Sequence, residues 1–164
     1  MNTKKLTVLS LCTTFALLLS YIESLIPLSL AVPGIKMGLA NAAILFVLYK
    51  MGTKEAFIVS LLRVLLASLL FGTAVTWLYS ISGALASLLL MVLLKKMKLS
   101  PVGVSVPGAV MHNLAQICVA VWLLGAGAIF AYLPTLIVSG TVCGVLIGIL
   151  SALLVKKVKL PFSL

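Results

Sequence analysis

Aspartate is absent from this sequence, and the only acids are Glu23 and Glu55, against 12 lysine and arginine residues. A Ser–His–Asp triad requires an aspartate, and the single histidine, His112, has no acidic neighbour in the sequence. The ATP-binding loop GxxxxGK[ST] is also missing, because "KMGTKEA" does not have its spacing. The sequence therefore predicts a chain that is not an enzyme, with no catalytic residue and no ATP hydrolysis of its own.

Charge of either sign is scarce. Charged residues make up 9% of the 164 residues, hydrophobic residues make up 63%, and the mean hydropathy is +1.35. A soluble core of this length cannot hide so much apolar surface, so the composition predicts an integral membrane protein. The net charge of +10 comes mainly from lysines clustered between apolar runs. This pattern is typical of membrane topology and not of a nucleic-acid-binding face.

Paired cysteines are missing as well. Cys12, Cys118 and Cys143 fall within apolar runs and form no CxxC motif. Such cysteines pack as small apolar residues. We therefore expect no disulfide, no bound metal and no cofactor.

The apolar runs predict an all-α bundle of six transmembrane helices, since a bilayer-crossing helix needs about 20 mostly apolar residues, and fewer when buried among others. The second and third runs are separated by "KMGTK", which predicts a tight hairpin. The first run begins like a signal peptide, but its length and the lack of a small-x-small cleavage site favour a retained span. Residues 1–164 are expected to form a single membrane domain, with spans at about 6–28, 37–51, 55–71, 74–94, 104–125 and 133–155.

The lysines predict the orientation of these spans. If the N-terminus is cytoplasmic, Lys36 falls outside and Arg63 lies within a span, while every other basic residue falls inside. Such an asymmetry follows the positive-inside rule. We therefore expect a multi-pass protein of the cytoplasmic membrane with both termini in the cytoplasm. The residues expected inside are Lys4, Lys5, Lys50, Lys54, Lys95, Lys96, Lys98, Lys156, Lys157 and Lys159.

Small residues recur at intervals of four. Gly140, Gly144 and Gly148 form a double GxxxG on the last span, and Gly83 and Ser87 form a similar pair on the fourth. Such ridges let helix backbones approach closely in lipid. They indicate either internal packing or a face for a partner subunit.

Polar residues inside the predicted spans are few. A charge at the bilayer centre is costly unless it is paired or meets water, so these side chains should face inward. One interpretation is a ligand cavity; the other is a Glu23–Arg63 ion pair with a hydrogen-bonded brace on the fifth span. On that span His112 and Gln116 share a helix face, while Asn113 is turned by about 100°. The residues concerned are Glu23, Asn41, Arg63, His112, Asn113 and Gln116.

The predicted outer connection "SLAVPGIKMGLAN" adds positive charge near these residues. Pro33-Gly34 indicates a turn, and Lys36 follows at the membrane edge. Gly38 then opens the second span, whose first turn offers free N–H groups and a positive dipole end. Together with Arg63 these groups would suit a carboxylate or phosphate, although a lone interfacial lysine such as Lys36 commonly snorkels to the headgroups.

Four segments resemble one known family: "VPGIKMGLANAAILFVLY", "EAFIVSLLRVLLASLLFG", "LYSISGALASLLLM" and "GVSVPGAVMHNLAQ". They are similar, in order and spacing over about residues 6–155, to the Gx transporter family, which is also labelled heptaprenyl diphosphate synthase component I. That family is grouped with the substrate-binding S-components of energy-coupling factor (ECF) transporters. The resemblance implies a six-helix bundle that binds a vitamin-like ligand from outside and works with a transmembrane coupling subunit and two ATPases.

The family's S-component relatives carry an Ala-xxx-Ala motif on the first helix, which contacts the coupling subunit. The nearest match in this chain is Ala16-xxx-Ser20, so the resemblance implies a partner interface at Ala16 and Ser20. The ligand-binding residues expected from the residue analysis are Glu23, Lys36, Asn41, Arg63, His112, Asn113 and Gln116.

The two family labels imply different functions, and the acid content bears on the choice. A prenyl diphosphate synthase uses aspartate-rich motifs to hold Mg²⁺, so a chain without aspartate is not its catalytic subunit. Three functions remain open. The first is an S-component that captures a small anionic flavin, quinone or isoprenoid precursor. The second is a non-catalytic accessory subunit in heptaprenyl diphosphate or menaquinone biosynthesis. The third is a channel or stand-alone oligomeric transporter.

Overall fold

The computed structural model describes residues 3–25 and 38–160, and within these ranges the chain is helical and has no strand. The all-α prediction is therefore confirmed for the described residues. The helices are α1 (Thr3–Leu25), α2 (Asn41–Lys50), α3 (Thr53–Phe71), α4 (Ala74–Lys96), α5 (Pro101–Leu124) and α6 (Leu133–Lys157), and the 3-10 helix Gly127–Tyr132 leads into α6.

The helices coincide with the predicted spans, but they are not equally suited to crossing a bilayer. Within the described ranges, α1, α4, α5 and the segment Gly127–Lys157 are long and apolar enough to do so. These four helices indicate a multi-pass membrane protein. Helix α2 has 10 residues, and α3 has 19 but carries Lys54, Glu55 and Arg63. The count of six spans, the single domain and the cytoplasmic termini therefore stay predictions.

Helix α2 lies inside the bundle. It packs against α1, α3, α5 and α6, and its residues from Asn41 to Leu48 are all buried. A helix that is apolar on all sides is stable only when it is enclosed in this way. At 1.5 Å per residue α2 is about 15 Å long, roughly half of the hydrocarbon core of a bilayer. It therefore fills only one half of the bundle.

The C-terminal end of α2 is fixed by neighbouring elements. At its C-terminal end the Lys95 ammonium of α4 donates to the Leu48 carbonyl at 2.5 Å, which satisfies an acceptor at the negative end of the helix dipole. Gly52 then turns the chain into α3 with a φ of 121°, a conformation that favours glycine. The tight hairpin predicted from "KMGTK" thus sets α2 and α3 side by side.

The glycine ridge of α6 packs internally, against α5. A Cβ placed at Gly144 would come within 2.7 Å of the Val106 Cα, and one at Gly148 would meet the Val102 Cα at the same distance. In both cases the added Cβ would meet a backbone atom of α5, so rotation of a side chain cannot relieve the contact. The structure therefore assigns the double GxxxG to close α5–α6 packing.

We expect Gly144→Ala to destabilise the protein even though alanine is the better helix former. The added methyl group forces α5 and α6 apart, and such overpacking costs about 1–3 kcal/mol. Gly127→Ala is the matched control, since no atom lies within 4 Å of a Cβ at Gly127. Thermal unfolding of the purified variants measures the effect. An unchanged melting temperature for Gly144→Ala would contradict the close packing.

The predicted orientation can be tested with single cysteines in a cysteine-free background. Lys96→Cys should be protected from a membrane-impermeant maleimide added to intact cells, because the lysine cluster is predicted to be cytoplasmic. Ala128→Cys, in the exposed part of the 3-10 helix Gly127–Tyr132 at the opposite end of the bundle, should react. Labelling of Lys96→Cys from outside would overturn the topology.

Candidate functional site

Polar side chains from four helices point into the bundle. Each of the six predicted site residues within the described ranges is buried, with at most 9% of its surface exposed. Polar and charged side chains are costly in lipid, so they are expected to face the interior of the bundle. They are Glu23 on α1, Asn41 on α2, Arg63 on α3, and His112, Asn113 and Gln116 on α5. The seventh, Lys36, lies outside the described residues.

Arg63 is the buried cation of this set. Its side chain is 5% exposed, and its Nε and Nη2 atoms are buried without a hydrogen-bond partner. Glu23 acts favourably on the guanidinium through space, whereas the direct ion pair recorded among the described residues is Lys5–Glu55, near the start of α1 and α3. The predicted Glu23–Arg63 interaction is thus electrostatic and leaves donor groups of Arg63 unsatisfied.

Glu23 is held at the entrance to α2. Its Oε1 accepts a hydrogen bond from the Gly38 N–H at 2.5 Å. Gly38 has a φ of 73°, and a Cβ there would meet the Asn41 Nδ2 at 3.1 Å. The N–H groups of Asn41 and Ala42 already bond to the carbonyls of residues 38 and 39. Among the described residues, the Gly38 N–H thus donates to Glu23 at this helix end, a contact that the sequence did not predict.

Arg63 lies at about the depth of the first turn of α2. Asn41 begins α2, which ends at the Gly52 turn, and Arg63 follows the same turn by about as many residues. Because both helices rise equally per residue and lie side by side, the guanidinium and the positive end of the α2 dipole share one level. The Glu23 carboxylate lies at this helix end as well, so an additional anionic group would bind through the Arg63 donors that Glu23 leaves unsatisfied.

His112 contacts helix α4 at a glycine. A Cβ at Gly83 would lie 2.8 Å from the His112 Cε1 and 2.9 Å from its Nδ1. Only a residue without a side chain leaves room for the imidazole in this position. The Gly83–Ser87 spacing had indicated a packing ridge, and the ridge turns out to accommodate a polar side chain.

Asn113 connects α5 to α6. Its Nδ2 donates to the Leu136 carbonyl at 3.0 Å, and the same atom lies 2.9 Å from where a Cβ at Gly140 would be. This bond spans two helices and occupies the side chain. Asn113 therefore serves as the interhelical brace that the sequence allowed as an alternative to a cavity.

Further buried side-chain groups have no hydrogen-bond partner among the described residues. Two of them are nitrogen donors, the Gln116 Nε2 on α5 and the Trp77 Nε1 on α4, and another is the Ser87 Oγ on α4. Helix α4 packs against both α3 and α5, so Arg63, Trp77 and Gln116 lie on three successive neighbouring helices. All of these unsatisfied nitrogens donate, so the group that would satisfy them has to supply acceptors.

The predicted partner interface lies mostly inside the bundle. Ala16 is 0% exposed, while Ser20 is half-buried and donates to the Ala16 carbonyl at 3.0 Å. A partner at this pair would reach Ser20 and its exposed neighbours and not the Ala16 methyl group. Ala16→Leu is therefore expected to disturb packing as well as any interface.

No metal centre is evident in the part of the chain that the structure describes. No three His, Cys, Asp or Glu side chains lie together there. The described cysteines are free thiols. The chemistry of the site is therefore hydrogen bonding and charge, supplied by Arg63 and its neighbours.

Two amides on one helix should respond differently to substitution. Asn113→Ala removes a satisfied hydrogen bond between α5 and α6, and because the Leu136 carbonyl still accepts from the Ser139 Oγ, the expected cost is that of one ordinary hydrogen bond, about 0.5–1.5 kcal/mol. Gln116→Ala removes an unsatisfied donor, so the melting temperature of the ligand-free protein should change little. Thermal unfolding of both variants makes the comparison. Equal destabilisation would mean that Gln116 is also a structural brace.

Comparison with known sequences places the whole membrane bundle in one family. The pattern that defines the family described as heptaprenyl diphosphate synthase component I matches residues 12–154. Comparison with curated proteins and with solved structures finds no match. The matched residues run from α1 to α6 and include every described residue of the site. The chain therefore belongs to the heptaprenyl diphosphate synthase component I family.

Proposed function

We propose that this chain is the substrate-binding subunit of an ECF-type transporter, similar to an S-component, and that it captures a small anionic molecule from outside the cell. The observation that carries the proposal is Arg63, a 5%-exposed guanidinium with unpartnered Nε and Nη2 atoms. A buried charge is expensive unless it is paired and hydrogen-bonded. A carboxylate or phosphate would supply both the charge and the acceptors, since the guanidinium fork binds either in two places.

The other unsatisfied hydrogen-bond donors indicate which further groups of the ligand the site would contact. Gln116 and Trp77 each offer one buried nitrogen without a partner. Trp77 is three residues after the start of α4, while Gln116 is eight residues before the end of α5. In the predicted topology both of these helix ends face outside, so the two donors lie at different depths. A ligand with an anionic group at Arg63 and additional carbonyl or ring acceptors nearer the surface fits them.

Entry from outside agrees with the distribution of charge. The Arg63 level lies at the N-terminal end of α2, whereas lysines occupy the last turns of α2, α4 and α6. Those lysines are predicted to be cytoplasmic. Because α2 fills only the lysine-rich half of the bundle, the opposite half is where we propose that the ligand binds.

Transport would require partner subunits. The sequence has no ATP-binding loop, so the energy must come from a transmembrane coupling subunit and ATPases. Ser20 and the exposed residues around it on α1 are the proposed contact, with Ala16 supporting the helix from inside.

The family description favours a second candidate, an accessory subunit of heptaprenyl diphosphate synthesis. The two acids of the chain are Glu23, bonded to Gly38, and Glu55, paired with Lys5. Neither is arranged to bind Mg²⁺, which favours several oxygen ligands. In this alternative the chain would anchor or assist a separate catalytic subunit, which stable co-purification with a soluble prenyl synthase would reveal.

Arg63→Lys should fold almost normally and lose its ligand. Lysine keeps the positive charge but not the planar fork, and loss of a bidentate contact weakens binding strongly. Native mass spectrometry of gently purified protein measures the fraction that carries a bound small molecule. We expect that fraction to fall about tenfold or more, in line with the loss of a charged hydrogen bond.

Glu55→Gln is the matched control. It alters the charged pair at the opposite end of the bundle, where Glu55 meets Lys5, and should retain the bound molecule. If Arg63→Lys unfolds at a much lower temperature but keeps the bound molecule, Arg63 is a structural residue and the ligand binds elsewhere.

A further inference from the structure

An apolar groove runs along the outside of the bundle between α1 and α6. Its volume is about 220 Å³ and its lining is almost entirely apolar. Residues of α2 form its floor, because the first and last helices of the bundle are held apart there by α2. Six of the lining residues are Leu11 and Phe15 from α1, Ala43 and Phe46 from α2, and Leu154 and Val158 from α6.

The groove lies in the half of the bundle that contains the lysine clusters. Val158 directly follows the end of α6, and Leu154 is one turn earlier. Phe15 is 12 residues after the start of α1, which places it about 18 Å along that helix. The groove therefore extends from the membrane surface to about the middle of the bilayer, the depth that one lipid chain of that leaflet occupies.

Positive charge surrounds the surface end of the groove. Val158, which lines it, stands between Lys157 and Lys159, and both lysines are exposed. Lys4 is exposed as well and lies on the same face of α1 as the groove residues Leu11 and Phe15, seven and eleven residues away. An apolar slot with cations at its mouth is complementary to an amphiphile with an anionic headgroup.

We propose that this groove binds one chain of an anionic phospholipid from the cytoplasmic leaflet, whose headgroup phosphate is held by Lys157 and Lys159. The lipid chain contacts Ala43 and Phe46 and thereby completes the packing around α2, where α1 and α6 do not meet. This site is separate from the Arg63 site and does not depend on the proposed transport function.

The headgroup, and not the chain, gives this site its selectivity. Lipid tails are as apolar as the groove, so moving a chain from the bilayer into it gains little. Each lysine near an anionic headgroup adds a substantial attraction. Phosphatidylglycerol should therefore be enriched over phosphatidylcholine in the groove but not elsewhere on the lipid-facing surface.

The test uses a photo-crosslinking amino acid, benzoylphenylalanine, in place of Phe15, with the protein in nanodiscs of phosphatidylcholine and a minor fraction of phosphatidylglycerol. The control position is Leu89, a 67%-exposed residue on α4. Mass spectrometry identifies the crosslinked lipid. At position 15 we expect phosphatidylglycerol to be enriched roughly tenfold over its share of the bilayer, and at position 89 we expect no enrichment.

Two double variants separate the lysines of the groove from general surface charge. Lys157→Gln with Lys159→Gln should abolish the enrichment at position 15, whereas Lys96→Gln with Lys98→Gln should leave it unchanged. Crosslinking at position 15 in proportion to the bilayer composition would overturn the proposal. Displacement of phosphatidylglycerol by added farnesyl diphosphate would also overturn it and assign the groove to a prenyl diphosphate.

Discussion

A guanidinium enclosed by helices, with hydrogen-bond donors left over, sets the conditions for the rest of this structure. Arg63 stands on an apolar helix, and its Nε and Nη2 atoms have no hydrogen-bond partner among the described residues, although Glu23 acts favourably on its charge. In a medium of low dielectric constant such a charge is tolerated when an anion or water reaches it. The N-terminal end of α2 lies at about the same level, and Gln116 on α5 adds another buried donor without a partner among the described residues. A bound anion would satisfy the charge and the donors of Arg63. Without one, burying the guanidinium in the bundle costs free energy.

The shortness of α2 makes this arrangement possible. A full-length helix in its place would fill the bundle from end to end, whereas α2 is 10 residues long and is fixed at its far end by Lys95. Close packing of α6 on α5 through Gly144 and Gly148 lies in the same lysine-rich half, because their contacts Val106 and Val102 are in the first turns of α5. The contacts that hold the bundle together thus lie mainly in the lysine-rich half, and the candidate binding residues lie toward the other half.

Much of the architecture could be predicted from sequence, because apolar runs of a given length and clusters of lysine reflect the dimensions and charge of a bilayer. The six helices lie at the predicted positions, and the hairpin at Gly52 forms where "KMGTK" indicated it. The individual role of each polar residue could not be predicted. The sequence grouped Asn113 with Gln116, yet Asn113 bonds to α6 while the Gln116 Nε2 has no partner. That difference depends on how α5 is rotated in the bundle, which periodicity alone does not determine.

Contacts between residues far apart in the sequence also could not be predicted. The contact between Gly38 and Glu23 joins residues on either side of a connection, and no spacing rule links them. The contact of His112 with Gly83 depends on where α4 and α5 cross. The family resemblance implied a partner interface at Ala16 and Ser20, and it did not indicate that Ala16 itself is 0% exposed within the bundle. A small residue indicates close packing without saying against which neighbour.

The most direct measurement is an experimental density map of the protein isolated gently from its own membrane, at a resolution that shows side chains. This account predicts non-protein density within hydrogen-bond distance of the Arg63 Nε and Nη2, extending toward Gln116. A map in which Arg63 instead closes onto Glu23 in a direct ion pair, with no other density beside it, would contradict the central claim.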